Sequence, residues 1–385
     1  MGRIYAESEL VIIAASGDSS DYGLAGVSFR HRQAQRKVEL DTNVELIEMI
    51  HPNTTLGRTT WATRGWTLQE GYLATRRLVF TDKEVSYVCD CGTWQESVRR
   101  RGVEDLVSHS VERFVGFPLE NSLENRLAEV LSHYSTRKLS IESDILNACM
   151  GILETLVDLH FWGMAAVRTG PASRYPLSFS WFNIAPGQRR EGFPTWSWAA
   201  TTGPKHIPIE ARSDEQNFVT EILTSDRLWL TPESHIESRY DRLPAGGGPT
   251  LRLIGSFYTG SLEMSPTSDA VQKYGEEREG KSRVVFQHPP CEEWNDLEFY
   301  SELQLDNELT NSISEGTVKA VLLNDVAPGY EPIFMILQAV GDHYVRIGVT
   351  SSCWARERKT GLISYRNGLQ LHQDCISSEE VIYIE

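Results

Sequence analysis

A chain of 385 residues with 40% hydrophobic and 23% charged side chains has the balance of a globular protein with room for roughly two or three domains, and it excludes a wholly disordered one. Its 53 acidic residues outnumber 37 basic ones, for a formal net charge of −16, which repels phosphate backbones and anionic lipid and argues against nucleic acid as a partner.

Residues 2–9 read as the end of a helix, and Leu10 to Ala15 as a buried strand, apolar and bounded by the turn-rich Ser16-Gly17-Asp18-Ser19-Ser20. That run is far short of the roughly 20 residues that cross a bilayer. It follows Glu7 and Glu9, the wrong flank for a signal peptide, so no membrane span is expected. Ala6 stands where a myristoylation signal needs Ser or Thr. A buried strand needs neighbours on both sides, and one this close to the first residue hints at missing upstream sequence.

Val44, Ile47 and Ile50 at three-residue spacing predict a short helix. Trp61 to Leu73 also has helical spacing, with Thr59 or Thr60 as its cap. Arg77 to Thr81 and Glu84 to Cys89 flank Asp82-Lys83 as a hairpin. Two helical stretches follow, Leu123 to Tyr134 and a stripe of Ile141, Ile145, Ala148, Cys149, Ile152, Leu153 and Leu156. The aromatic-rich segments Pro176 to Trp181 and Phe193 to Trp198 come next, then the linker candidate Leu243 to Pro249. Beyond it the pattern changes to short strands: 251–254, 284–287, 318–323, 333–340, 344–349 and 381–384, with an exposed loop expected at 276–281. The domain reading is therefore 1–100, 101–240 for a helical and Trp-rich region packed on it, and 250–385 for a β-rich module.

Motifs for familiar chemistries are missing: there is no GxGxxG, P-loop, HExxH or GxSxG. The six cysteines, Cys89, Cys91, Cys149, Cys291, Cys353 and Cys375, are sparse and irregular, as for reduced residues of a cytoplasmic protein rather than a disulfide framework. Cys89-x-Cys91 is too close for a usual zinc knuckle, so no metal is expected. Most of the ten tryptophans read as core with an indole N–H needing a partner. Glu70 differs in kind. One helical turn after Trp66, beside Gln69 and after Arg64, it is either a buried ion-pair member or a functional acid.

The run Arg64-Gly65-Trp66-Thr67-Leu68-Gln69-Glu70, preceded by Trp61 and followed by Leu73-Ala74-Thr75-Arg76, closely resembles the closing block of the fungal heterokaryon-incompatibility (HET) domain. Met1-Gly2-Arg3-Ile4-Tyr5, Val11 to Ala15 and Gly23 to Gly26 are similar to the family's middle segment, and Ser143 to Ala148 with Phe193 to Trp198 to the region that trails it. Two earlier family blocks, like L-S-Y-x-W-G and W-I-D-x-L-C-I-x-Q, do not occur, and Met1 falls where the family has an internal methionine. The expectation is an N-terminally shortened member or an incomplete gene model, in which residues 1–100 are the C-terminal part of a HET domain.

The resemblance implies a cytoplasmic protein of non-self recognition and regulated cell death after fusion of unlike hyphae, acting through protein partners. It implies an α/β fold, with a proposed distant relation to TIR domains, some of which cleave NAD. On that alternative Glu70 is the catalytic acid, with Arg64, Gly65, Trp66, Thr67 and Gln69 shaping the pocket and NAD as the ligand; otherwise no cofactor is expected. A third alternative is a non-functional remnant.

Overall fold

The computed structural model describes residues 1–97 except 28, 42–43, 49–51 and 90–91; 112–113; 117–118; 123–166 except 158; 179–207 except 186; 218–223; 228–234 except 233; 250–264; 282–286; 297–306; 316–323; 333–357; 363–365; and 379–385. The linker candidate at 243–249 and the loop expected at 276–281 lie outside the described residues. The chain divides into two units, Met1–Leu156 and Val157–Glu385.

In the first unit α1 (Gly2–Glu7) leads into β1 (Val11–Ala14), and the hairpin β2 (Lys37–Asp41) and β3 (Val44–Ile47) follows. Three short helices, α2 (Pro52–Leu56), α3 (Thr60–Thr63) and α4 (Thr67–Leu73), precede the meander β4 (Arg76–Phe80), β5 (Val85–Cys89) and β6 (Gly92–Gln95). A two-residue pair, β7 (Glu112–Arg113) and β8 (Phe117–Pro118), comes before α5 (Leu123–Ser135), a 3-10 turn at Glu142–Ile145 and α6 (Met150–Leu156). The sheet order is β1-β4-β5-β6, with β1 parallel to β4 and the other pairs antiparallel. The connection from β1 to β4 is thus a helical crossover.

One face of this sheet is core. Ile13, Val79 and Val88 pack with Ala15, Leu56 and Trp61, and Val11 and Ala62 extend the cluster. The opposite face carries a row in strict register, Ile12, Leu78, Tyr87 and Trp94, in which Ile12 is 56% exposed. The expectation of a strand buried on both sides fails here: β1 ends the described sheet, and only its Val11–Ile13 face is packed.

Three further expectations are corrected. Val44–Ile47 is a strand, because it pairs with Lys37–Asp41 instead of presenting a helical face. The Trp61–Leu73 helix is broken in two at Arg64, whose backbone is extended (φ −86°, ψ 138°) and bridges Lys138. The stripe from Ile141 to Leu156 is a 3-10 turn followed by a helix beginning only at Met150. Its buried positions come from both pieces, so helical spacing survives without one continuous helix.

The second unit is β-rich. It opens with the hairpin β9 (Leu159–Phe161) and β10 (Met164–Ala166), whose two loop residues, Trp162 and Gly163, both have positive φ, 47° and 84°. Primed two-residue turns demand this, and only the glycine adopts it without strain. The Phe193 to Trp198 segment holds the turn: Ser197 Oγ and Trp198 Nε1 donate to the carbonyls of Trp162 and Gly163, the latter at 2.8 Å. The pair β11 (Phe182–Asn183) and β12 (Lys205–His206) follows, then β13 (Phe218–Leu223), β14 (Trp229–Leu230), β15 (Leu251–Gly255), β16 (Tyr258–Met264), β17 (Ser282–Phe286) and β18 (Leu297–Leu305). The chain ends with β19 (Gly316–Leu322), β20 (Phe334–Val340), β21 (His343–Glu357), β22 (Ile363–Tyr365) and β23 (Glu380–Ile384).

The predicted strands from residue 251 onward are all present, β16, β18 and β22 join them unpredicted, and six of these strands pair into a ring. β16 pairs β17, β17 pairs β18, β18 pairs β21, β21 pairs β20, β20 pairs β19, and β19 returns to β16, every pair antiparallel. Closure removes the free edges that a hydrophobic sheet would otherwise expose. A wing of β14-β13-β15-β23 joins the ring at β21.

Candidate functional site

The block singled out from the sequence spans the α3–α4 junction. Thr59 caps α3, its hydroxyl accepting the Ala62 N–H at 3.3 Å. The chain then extends through Arg64 and Gly65, and the Gly65 N–H donates to the Lys138 carbonyl at 2.8 Å while the Lys138 N–H donates to Thr63 at 2.6 Å. A Cβ on Gly65 would lie 2.5 Å from Leu139 Cδ2, so the glycine admits the 138–139 segment against the junction.

Arg64 serves this junction through its backbone. Its carbonyl accepts from Thr67 Oγ1 at 2.8 Å and from Arg137 Nη1 at 3.1 Å, whereas its side chain is exposed. Thr67 is buried, and its hydroxyl also lies within reach of the Trp61 carbonyl. A second Arg137 contact, from Nη1 to Thr67 Oγ1 at 3.1 Å, closes the cluster. Burial pushes the Arg137 guanidinium down to about 10, with Tyr134 and Glu70 opposing that shift. Its Nε and Nη2 are buried without a hydrogen-bond partner.

Gln69 is fully buried, and both ends of its amide are used. Nε2 donates to the Asn147 carbonyl at 3.1 Å, and Oε1 accepts the Gly151 N–H at 2.9 Å. It therefore fastens α4 to the start of α6, satisfying backbone groups that a helix end leaves unpaired. Trp66 is half-buried at the start of α4.

Glu70 is half-buried, and each carboxylate oxygen is engaged. Trp61 Nε1 donates to Oε2 at 3.1 Å, and the Tyr5 hydroxyl donates to Oε1 at 3.4 Å. The Tyr5 phenol is raised above its ordinary range, first by burial and then by the Glu70 charge and hydrogen bond. One carboxylate thus ties α1, α3 and α4 together. This supplies the partner that a buried indole N–H requires.

Sequence reasoning missed three members of the arrangement. Tyr5 and Arg137 lie 65 and 67 positions from Glu70, beyond the reach of any local spacing rule. The third is Arg77, taken only as a strand residue: it is buried, Nε donating to the Gly71 carbonyl at 2.7 Å and Nη2 to that of Ala74, so it seals the C-terminal end of α4. Arg76, quoted in the motif, is exposed.

A cleft of about 310 Å³ opens elsewhere, where β1 and β4 end at their carboxyl sides, and none of the residues from Arg64 to Glu70 lines it. Among the described residues no group of His, Cys, Asp or Glu could hold a metal ion, and Cys149 is a free thiol. Cys91, Cys291 and Cys375 lie outside the described residues. No helix among the described residues is long and apolar enough to cross a membrane.

The first unit is therefore an α/β assembly in which the Trp61–Glu70 block locks a helical crossover onto its sheet. Residues 1–70 match the family model described as Heterokaryon incompatibility protein (HET), in agreement with the resemblance read from the motif. The comparisons with curated proteins and with solved structures gave no match.

Proposed function

We propose that this protein takes part in heterokaryon incompatibility, recognising non-self after cell fusion and promoting regulated cell death through protein contacts. The observation that carries the reading is the family match over residues 1–70, joined to what the motif does there. Gly65, Thr67, Gln69 and Glu70 are spent on holding helices together. The motif then preserves a surface rather than an open acid, and a cytoplasmic setting with protein partners follows from the same reading.

The alternative is a TIR-like NAD-cleaving site with Glu70 as its acid. Its support is the half-buried carboxylate beside Tyr5. Glu70→Gln separates the two, because a glutamine keeps an oxygen acceptor for the Trp61 indole while losing the charge. Expressed in a fungal host, the chain should impair growth, and Glu70→Gln should impair it equally with no change in cellular NAD. Growth and NAD both restored by Glu70→Gln would overturn the contact reading in favour of the enzyme. Wild-type expression without any growth effect would remove the incompatibility role from this chain.

A further inference from the structure

We infer that β2 is the edge by which two copies of this chain pair, antiparallel about Val38, joining their β2–β3 hairpins into one four-stranded sheet. All five residues of β2 are exposed, and so are Val44, Glu45 and Leu46 of β3. Val38 and Leu46 stand opposite each other, and with Val44 they are 57%, 55% and 50% exposed. Alternation puts all three on one side of the hairpin. A two-stranded hairpin with a bare apolar face is marginal in water, and further strands stabilise it. Its base is nonetheless held in place: Glu48 pairs with Lys83 at 2.8 Å, and the Gln33 N–H donates to the Asp82 carbonyl at 2.7 Å. The hairpin is thus an anchored arm.

The backbone sets what this arm offers. The Glu48 N–H donates to the Arg36 carbonyl at 2.8 Å, and the register continues with Lys37 opposite Ile47, Val38 opposite Leu46 and Glu39 opposite Glu45. Hydrogen-bonded and non-hydrogen-bonded pairs alternate along an antiparallel ladder. Val38 therefore spends its N–H and C=O on Leu46. Those of Lys37 and Glu39 point the other way, to an edge that no strand among the described residues pairs. An edge of this kind is a template for another strand.

Charge fixes the occupant and the register. Glu39 stands directly opposite Glu45, a like-charge pair that weakens the hairpin. Lys37 bridges Glu45 at 3.2 Å, so Glu39 is left, among the described residues, without an ion pair. A second β2 running antiparallel through Val38 sets Lys37 opposite the partner's Glu39 and, by two-fold symmetry, Glu39 opposite the partner's Lys37. These are the residues whose main chain faces outward, so each pair can exchange both of its backbone hydrogen bonds. Val38 meets the partner's Val38 at the centre, where side chains across a non-hydrogen-bonded pair come closest. Centring the pairing on Glu39 would set that carboxylate against its own copy. The net charge of −16 holds the copies apart at long range, so the contact depends on this local match. The interface goes beyond the incompatibility reading and is tested by mass rather than by growth.

Sedimentation velocity on the full chain measures it. Wild type should dimerise at concentrations up to about 100 μM, as a small edge interface allows. Lys37→Glu and Glu39→Lys each turn two opposite-charge pairs into two like-charge pairs, and each should weaken dimerisation by about thirtyfold or more. Mixed in equal amounts, the two variants should form a heterodimer, because every pair across the edge is again of opposite sign. That rescue separates lost pairing from lost folding, which circular dichroism of each variant also checks. A monomeric wild type would overturn the proposal and leave the arm to a different protein. So would a dimer that either variant leaves intact, which would place the interface elsewhere, or a mixture of the variants that stays monomeric.

Discussion

The two units solve the burial of polar groups in opposite ways. In Met1–Leu156 the buried polar side chains are mostly spent on backbone. Gln69 bridges a carbonyl and an N–H, Arg77 seals a helix end, and Arg137 reaches the Arg64 carbonyl. In Val157–Glu385 a full ion pair sits inside. Arg346 Nε donates to Asp306 Oδ2 at 2.7 Å, its guanidinium lies 3.6 Å from the centre of the Trp181 ring, and its remaining nitrogens reach the carbonyls of Phe179 and Trp181. Lys205 is buried too, its ammonium capping the carbonyls of Thr201, Thr202 and Gly203. Short helices generate unpaired ends close together in sequence, which neutral amides and single guanidinium groups can satisfy. The aromatic segment of the second unit instead leaves its irregular backbone against the ring, and a charged pair is buried to satisfy it.

That contrast is broken most directly at Arg346. Removing one partner of a buried pair leaves the other uncompensated, so Arg346→Met should destabilise the second unit by about 3–5 kcal/mol. Asp306 shows why: burial raises its carboxyl above the usual range, and only Arg346 and Lys205 hold it down. Pairing Arg346→Met with Asp306→Leu should recover part of the loss, since an apolar pair carries no desolvation cost. Hydrogen exchange resolved by segment reads the result. Faster exchange confined to residues after 157 is expected, and equal acceleration at α4 and α6 would mean that the two units do not unfold separately.

Acid sharpens the comparison, because among the described residues each unit holds one histidine that burial keeps neutral. His160 in β9 and His133 in α5 are each lowered to about 4 from 6.5, His133 with a further contribution from Arg137. A histidine whose folded pKa lies below its unfolded value takes up its proton first in the unfolded chain as the pH falls. Stability is complete above about pH 6.5 and is lost as the pH falls toward 4. For the more deeply buried His160 the shift corresponds to roughly 3 kcal/mol. His133 is only half-buried, and solvent screening leaves it a smaller share. His160→Gln should therefore flatten the acid limb of the second unit's unfolding curve, and His133→Gln should flatten that of the first unit less. An unchanged acid limb in His160→Gln would show that this ring is not protonated on unfolding.

How much of this the sequence carried depends on the range of the interactions. The pattern from Trp61 to Glu70 was legible because its members lie within ten residues, and six of the strands from 251 onward because alternation is local, while β16, β18 and β22 were not read. The break at Arg64 was not, since it is imposed by Lys138 across the unit. Nor was the closed ring, whose final pairing joins β16 to β19 through intervening strands. Glu70 was offered as an ion-pair member or a functional acid, and its direct partners are a phenol and an indole. The phenol, Tyr5, belongs to an element whose packing no spacing rule could supply.

The smallest expected effect tests that last link. Gly151 and Gly2 touch where α6 meets α1: a Cβ on Gly151 would lie 2.6 Å from both Gly2 Cα and Gln69 Oε1. Gly151→Ala must then displace α1 or the Gln69 amide, a strain of about 1–3 kcal/mol. The amide can rotate, but only by abandoning the Gly151 N–H that it accepts. Backing α1 away is the other route, and it carries Tyr5 off Glu70. The two outcomes read differently in an alkaline titration of the phenols. If α1 moves, the Tyr5 ionisation falls back toward its ordinary value, because burial and the Glu70 charge that raise it are lost together. A destabilised variant with Tyr5 still raised would place the strain on Gln69. A variant as stable as wild type would mean that the contact between the two glycines is not close enough to matter.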